Sequence, residues 1–504
     1  MTLGEARRRL PEFWERRALA LVLALAAILR LAAALFSRGY GMHDDHFLVV
    51  EVAQRWVEGR LDLSEEMVAM RSLVYPWLHA RLFAALDHAG VADPQAKMLV
   101  VRLLHAAWSL PTVYFGYRTA LALSGARAAR AAGLLLAAFW IMPFMSVRNL
   151  VEAVCQPPLA AAAFFLVRGR AGREGGGDAL LSGALFGLAS VLRFQVLVVP
   201  AATAIVLLAE RRFRGALLLG LGFALVAGVV LGGSDWIGFG RPFASFLAYV
   251  AYNSNPANVA GYPQGPWFQY LGTLAGVLVP PTSLVVLWGF ARTWRRAAVL
   301  FWPTVAFLAL HSAYPGKQER FLLPVVPMIL VLAAVGCLDP ELAPRFLSRH
   351  RRLTAGLWRW FAAANALLLA VFTATYSKRS RVESLSYLHG QADVRGLVWE
   401  TSEGEVAPPP LFYLGKDVPV YLAWDGKPAE ALRAEIAASG RPPPNRAVLT
   451  GTRDLDARVR RLSSVLGELT LERTVAPSFY DDLLHRMNPR HNVNLTAFVY
   501  RTRG

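Results

Sequence analysis

Cysteine is nearly absent: the 504 residues hold only Cys155 and Cys337, both in or beside apolar runs. Two such thiols make neither a disulfide framework nor a cysteine-based metal centre, so the fold must be held by packing. Phosphate-binding loops are missing too. There is no Walker-type loop, no G-x-G-x-x-G between a strand and a helix, and no H-E-x-x-H, which leaves nucleotide-fuelled chemistry without support. No internal repeat or low-complexity block is present. Acidic residues are the scarcer sign, 35 against 53 lysines and arginines, for a formal charge of +18. No long basic or aromatic-basic run stands outside an apolar stretch, so nucleic acid is not the expected partner.

Apolar residues are abundant instead. At 55% hydrophobic composition the chain carries more apolar surface than one soluble core absorbs, the mark of a polytopic membrane protein. In such a chain the arginine excess belongs in cytoplasmic loops beside anionic lipid. The first apolar run, about Ala18 to Phe36, is too long for a signal-peptide core and reads as a retained anchor. Residues 1–17, with Arg7, Arg8, Arg9, Arg16 and Arg17, precede it and are expected in the cytoplasm. Further apolar runs follow over about Leu99 to Leu123, Ala131 to Met145, one returning to Arg168, Ala179 to Ala209, Gly215 to Gly233, one ending at Arg292, one rising to His311, one descending to Arg345, and about Leu357 to Tyr376. The run from Ala179 to Ala209 is read as two short segments turning at Arg193. Arginine-dense loops (Arg127 and Arg130, Arg168 and Arg170, Arg211 to Arg214, Arg292 to Arg296, Arg345 to Arg352) alternate with polar motifs, giving about eleven spans over residues 18–377. The stretch 41–98 is expected outside, with amphipathic helices on the membrane surface. Residues 378–504, charged, with two Pro-Pro-Pro turns and β-like runs at 418–422, 447–450 and 497–500, read as a small α/β extracytoplasmic domain. The fold class is therefore a polytopic all-α membrane protein with a small C-terminal α/β domain. Its Ala/Arg/Gly/Leu-rich composition is that of a GC-rich bacterial genome, so the expected place is the bacterial inner membrane with the polar motifs on the periplasmic or extracellular face.

Several polar residues on that outer side invite a chemical reading. Asp44 and Asp45 leave the first span as adjacent carboxylates, a costly arrangement near lipid unless it is solvated or functional. Arg193 interrupts an apolar run and needs a carboxylate partner or an anionic ligand. Lys317, Arg320 and Arg71 supply cations. A carboxylate base on one side and a cation clamp on the other is what hydroxyl activation with phosphate release requires. The plainer readings are a solvated loop for Asp44-Asp45, local pairing of Glu319 with Lys317 or Arg320, and an interfacial aromatic belt for Trp267 and Tyr270. His43, Asp44 and His46 lack the further ordered ligands of a metal centre, so no metal is expected.

Taken in order, these motifs resemble the lumenal, dolichyl-phosphate-mannose-dependent mannosyltransferases of glycosyltransferase family 22 in the GT-C superfamily, which act in N-glycan and GPI-anchor assembly. The residues that carry the resemblance run from about Gly41 to Pro327. His43-Asp44-Asp45-His46-Phe47, with Glu51 downstream, looks like the family's x-D-E segment, and Arg71-Ser72-Leu73-Val74-Tyr75-Pro76 like its R-S-x-x-Y-P. Asn149-Leu150-Val151-Glu152 resembles N-x-x-E, and Asp235 to Gly240 resembles D-x-x-x-F/Y-G. Gly265-Pro266-Trp267-Phe268-Gln269-Tyr270 is similar to H-P-W-x-x-Y, and Gly316-Lys317-Gln318-Glu319-Arg320-Phe321 to H-K-E-x-R-F. Glycines at 265 and 316 and the glutamine at 318 depart from the pattern.

The resemblance implies a GT-C fold and inverting transfer of a hexose, mannose in the family, from a polyprenyl-phosphate donor to a hydroxyl of a membrane-associated glycan or glycolipid. Asp44 would be the base. Asp45, Glu51, Asn149, Glu152, Asp235, Trp267 and Tyr270 would bind or support the acceptor, and Glu319 would support the cation cluster. Arg71, Arg193, Lys317 and Arg320 would hold the donor phosphate. No cofactor is expected, the lipid-linked sugar phosphate being a substrate. A lipid or glycolipid transporter would instead show paired intramembrane charges and repeat symmetry. A protein O-mannosyltransferase-like or inactive relative is distinguished by acceptor assays.

Overall fold

The structure, a computed structural model, describes residues 3–171, 176–402, 408–424, 427–489 and 492–503. In chain order the main elements are α1 (Leu3–Phe36), β1 (Arg38–Gly39), α2 (His43–Val57), α3 (Pro94–Ser124), α4 (Gln156–Ala171), α5 (Gly176–Leu192), α6 (Val198–Ala209) and α7 (Phe213–Phe239, with a π turn at Ala227–Gly232). Next come α8 (Gln269–Val277), α9 (Thr282–Arg292), α10 (Ala298–Ala313), α11 (Val326–Leu338), α12 (Arg351–Thr373), β2 (Tyr376–Ser377), β3 (Leu397–Glu400) and β4 (Val420–Ala423). The chain closes with α13 (Ala429–Ala438), β5 (Arg446–Thr450), α14 (Leu455–Leu466), β6 (Leu469–Val475), α15 (Phe479–Met487) and β7 (Ala497–Thr502). Two compact units result: residues 1–34, 58–79 and 101–373 form one, and residues 35–57, 80–100 and 374–504 the other.

The first unit is a helical bundle, because a chain in lipid must pair every backbone N–H and C=O within itself. Six helices are long and apolar enough to cross a bilayer: Arg17–Phe36, Pro94–Ser124, Val151–Arg170, Phe213–Phe239, Glu319–Leu338 and Arg351–Thr373. A bent pair, α8 and α9, and three shorter apolar helices accompany them. The apolar stretch near Ala131 to Met145 is not one straight span. Helix Ala126–Ala138 stops at Phe139, and a short helix, Ile141–Ser146, follows. The Asn365 amide on α12 enters the break, accepting from the Trp140 N–H (2.9 Å) and donating to the Ala138 carbonyl (2.8 Å), which meets the backbone groups the break exposes.

Side-chain contacts sort the two ends of this bundle. Arg170 pairs with Glu210, joining the ends of α4 and α6. Arg296, after α9, reaches the Leu123 carbonyl near the end of α3 and the Glu341 carboxylate after α11. At the opposite ends of these helices lie Glu152 before α4, Arg193 before α6 and Arg320 before α11. The arginine-rich loops and the polar motifs thus occupy different ends of the same helices.

The second unit is built on a five-stranded sheet of order β4-β3-β5-β7-β6. β3 runs parallel to β4 and β5, and β7 runs antiparallel to β5 and β6. α13 makes the crossover between β4 and β5, and Val398, Tyr421, Leu432, Leu449 and Leu462 form the core beneath it. β1 pairs in parallel with β2, Arg38 opposite Tyr376. Only Ser37 separates β1 from the first span, and only Ala374 and Thr375 separate β2 from the last. The C-terminal ends of the first and last spans therefore lie on one side, so the chain crosses an even number of times between those ends and, counting the first span, an odd number in all.

Candidate functional site

The densest charge cluster in the bundle forms where three chain breaks meet. Glu152 opens the short helix Val151–Val154 and is fully buried. Arg193 lies in extended backbone between α5 and a 3-10 turn, Phe194–Leu197, so its side chain leaves the helical register at the break. Its Nη2 is 2.9 Å from Glu152 Oε1. Arg320, in the 3-10 turn that precedes α11, puts Nε 3.1 Å from the same oxygen. The Phe321 ring lies beneath both guanidiniums, 5.3 Å from that of Arg193 and 5.2 Å from that of Arg320. Glu152 Oε2 is buried with no hydrogen-bond partner among the described residues. One carboxylate thus fixes two planar donor forks, the geometry suited to a phosphate group.

The segment that delivers Arg320 is anchored by its neighbours. Tyr270, 1% exposed, accepts from the Gln318 N–H at 3.1 Å and donates to the Gln318 carbonyl at 3.2 Å. Lys317 is buried, and its ammonium donates to the carbonyls of His311 (2.9 Å), Ser312 (2.7 Å) and Tyr314. Burial pushes its pKa down. All three ammonium protons are engaged, so in this structure Lys317 caps the C-terminal end of α10. Beside it, a Cβ at Gly265 would lie 1.7 Å from Gln269 Oε1, the far end of a flexible side chain, and 3.0 Å from Lys317 Cγ. The Gln269 side chain fills the space that a larger residue would take.

Other expected partnerships also differ. Glu319 is exposed and makes no ion pair with Lys317 or Arg320 among the described residues; the carboxylate of Arg320 is Glu152, 168 residues away in sequence. Asp235, fully buried near the end of α7, accepts from the Ser245 N–H (2.9 Å) and hydroxyl (2.7 Å), tying α7 to the helix Ala244–Ser254. Trp267 is 66% exposed, whereas Tyr270, grouped with it as an aromatic belt, is inside. Asn149 Oδ1 accepts from the buried Tyr75 hydroxyl, which is also 2.9 Å from His105 Nε2. Arg71 lies just past the short helix Glu66–Ala69 and is half-buried. The Tyr75–His105 link and His79, whose Nδ1 donates to the Tyr75 carbonyl at 3.0 Å, were not singled out from sequence. A histidine within the apolar run of α3 was the available signal. Arg30 and Arg102 gave a similar one; they are buried, with Arg30 donating to Ser109 Oγ and the Ala137 carbonyl, and Arg102 to the Ala34 carbonyl.

In the other unit, Asp44 and Asp45 occupy the first turn of α2, where a carboxylate meets unpaired N–H groups and the positive end of the helix dipole. Asp44 is exposed and Asp45 only 3% exposed, so the pair is split into a solvent-facing and a buried carboxylate. Burial, with Lys378 and Arg381 adding to it, pushes the His43 imidazole down to about 4. Two turns on, Glu51 accepts the Phe412 N–H at 3.0 Å, and burial pushes it up to about 7. Lys378 Nζ donates to the Gly41 carbonyl at 2.6 Å, and its ammonium lies 4.5 Å from the centre of the Tyr40 ring. The Asp481 carboxylate in turn holds the N–H groups of Lys378 (2.8 Å) and Arg379 (3.1 Å). The acidic turn is thus braced from the C-terminal sheet unit. Among the described residues no group of three metal-ligating side chains converges.

Comparison with known proteins places this arrangement among relatives. The sequence profile of the Alg9-like mannosyltransferase family matches residues 21–395. GPI mannosyltransferase 3 of Yarrowia lipolytica is 24% identical over 415 residues, 80% of this chain and 76% of the relative. GPI mannosyltransferase 4 of Aspergillus oryzae is 27% identical over 199 residues, 36% of this chain and 33% of the relative. Among solved structures, ArnT from Cupriavidus metallidurans bound to undecaprenyl phosphate superposes with a TM-score of 0.62 at 14% identity, covering 96% of this chain and 98% of that one. The oligosaccharyltransferase AglB from Archaeoglobus fulgidus, in complex with an inhibitory peptide and a dolichol-phosphate, gives 0.51 at 12% identity, covering 90% of this chain and 71% of that one. These two likenesses are of fold, the GT-C architecture.

Proposed function

Because the chain belongs to the Alg9-like mannosyltransferase family, and is thus a membrane glycosyltransferase, we propose that it moves a hexose, mannose by family, from a polyprenyl-phosphate donor to a hydroxyl of a glycan or glycolipid. The reaction would take place on the extracytoplasmic face of a bacterial inner membrane. The observation that carries this reading is the meeting of Arg193 and Arg320 on the buried Glu152. The lipid phosphates bound to ArnT and AglB support a donor of the same class.

In this reading the acceptor hydroxyl attacks the anomeric carbon as its proton passes to Asp44, and the bond from that carbon to the phosphate oxygen breaks with inversion. The polyprenyl phosphate leaves with the bonding pair. Arg193 and Arg320 neutralise its charge, a term of several kcal/mol in a poorly hydrated site. Arg71 is a further cation on the donor. Glu152 orients both arginines. Lys317, Tyr270 and the local tie made by Asp235 shape the surrounding segments, while Asp45, Glu51 and Asn149 hold the acidic turn and the Glu152 loop in place. Exposed Trp267 remains a candidate surface for the acceptor. Protein cations carry the phosphate charge in this scheme, so the reading calls for no metal or cofactor.

The test is transfer of radiolabelled hexose from synthetic polyprenyl-phosphate-mannose and polyprenyl-phosphate-glucose by membranes carrying wild type or Asp44→Asn, with host lipid extract as acceptor. Loss in a folded Asp44→Asn protein supports the base and identifies the sugar. Equal transfer by both proteins overturns Asp44, and transfer from the glucose donor alone overturns mannose.

A further inference from the structure

Helix α15 carries an apolar stripe that its own unit leaves uncovered. Phe479, Leu483 and Met487 recur every four residues, one face of a helix, and are 77%, 37% and 74% exposed. The opposite face is fixed. Asp481, 1% exposed, completes a capping box with Ser478 and holds the N–H groups of Lys378 and Arg379. Along the edge of the stripe, Arg486 pairs with Asp482 at 2.8 Å, and the last turn is basic through His485 and Arg486.

The covalent chain limits how far this helix lies from lipid. The last span ends at Thr373, five residues before Lys378, so Lys378 is at most about 18 Å from the end of that span even if the link is fully extended. α15 is hydrogen-bonded to Lys378 itself. Lys378 also holds the Gly41 carbonyl, and the first span ends at Phe36, with β1 between them. The same unit therefore hangs from two span ends, and Phe36 and Met42 beside them are 60% and 39% exposed.

From the stripe, the basic last turn and the two short tethers, we infer that α15 is an interfacial helix that seats Phe479, Leu483 and Met487 among the acyl chains of the extracytoplasmic leaflet, with Arg486 at the level of the headgroup phosphates. Such a helix lies in the plane of the interface, its apolar face a few ångströms into the bilayer and its basic edge among phosphates. The consequence reaches the acidic turn. Through Asp481, Lys378 and the Gly41 carbonyl, the leaflet surface sets the depth of the N-terminal end of α2. This placement does not depend on the reaction proposed for Asp44.

The experiment uses the full chain in nanodiscs of zwitterionic and anionic phospholipid, with an environment-sensitive fluorophore on Phe479→Cys, Met487→Cys or, as a solvent control, Arg453→Cys. Cys155 and Cys337 are buried, and unmodified protein measures their background labelling. Each label is challenged with a nitroxide carried on the lipid and with aqueous iodide. The expected result is several-fold stronger quenching by the lipid nitroxide at 479 and 487 than at 453, with iodide effective only at 453. Iodide access at 479 and 487 equal to that at 453 would overturn the inference. So would shielding of both positions from both quenchers, the signature of a protein partner on the stripe. A variant that fails gel filtration is replaced by Leu483→Cys, for which the same outcomes decide.

Discussion

At the scale of single residues, the informative carboxylates are the buried ones. Glu152 balances two guanidiniums with one oxygen, so removing its charge leaves two buried cations without their counter-ion. We expect Glu152→Gln to destabilise the protein by about 3–5 kcal/mol, read from denaturant unfolding in detergent. Glu319→Gln, changing an exposed group, should stay within about 0.5 kcal/mol of wild type. Glu51 makes a pH-dependent prediction. Its folded pKa is raised from the ordinary 4.5 to about 7, so its contribution is present in full below about pH 4.5 and is lost as pH rises through about 7. Glu51→Gln keeps an acceptor for the Phe412 N–H without the buried charge. It should match wild type at pH 5 and exceed it at pH 8 by up to about 3 kcal/mol; a difference independent of pH would remove the argument.

At the scale of elements, the decisive features are breaks. Arg193 and Arg320 reach Glu152 because the first stands in extended backbone and the second in a 3-10 turn, each ahead of an α-helix, and Lys317 is consumed by the carbonyls that end α10. The two-residue strands β1 and β2 are equally consequential. Gly39 has φ +75°, and a Cβ there would sit 1.8 Å from the Ser377 carbonyl oxygen. Gly39→Val should part the strands, at a cost of about 2 kcal/mol or more from the left-handed backbone and the overlap. Hydrogen exchange would show it as lost protection of the Arg38 N–H, which donates to the Thr375 carbonyl at 3.0 Å. Much of this level was legible in the sequence. The turn at Arg193 follows from an arginine inside an apolar run, and the apolar lengths gave most spans. The break at Phe139 was not legible, since Asn365 on a distant helix supplies the groups that make it tolerable. β3 was missed because Leu397 to Glu400 are all buried and show no alternation.

At the scale of the whole molecule, the β1–β2 pairing demands an odd number of crossings in all. Arg102, in the first half of α3, holds the Ala34 carbonyl near the end of the first span, so Arg127 and Arg130, past the other end of α3, should face the side opposite Arg453. Right-side-out membrane vesicles should let an impermeant maleimide label Arg453→Cys at once and Arg127→Cys only after permeabilisation. Labelling of both positions at once, or of Arg127→Cys alone, would break the topology.

By itself the sequence determined the membrane class, the alternation of arginine loops with polar motifs, and the family, because hydropathy, charge and motif order are local properties written along the chain. Only the tertiary structure decided which charges meet. That Glu152 is shared by Arg193 and Arg320, that Lys317 faces backbone carbonyls, and that the acidic turn of α2 is braced by Lys378 and Phe412 all depend on groups far apart in sequence. Their contact energies exist only after the helices and the sheet have packed.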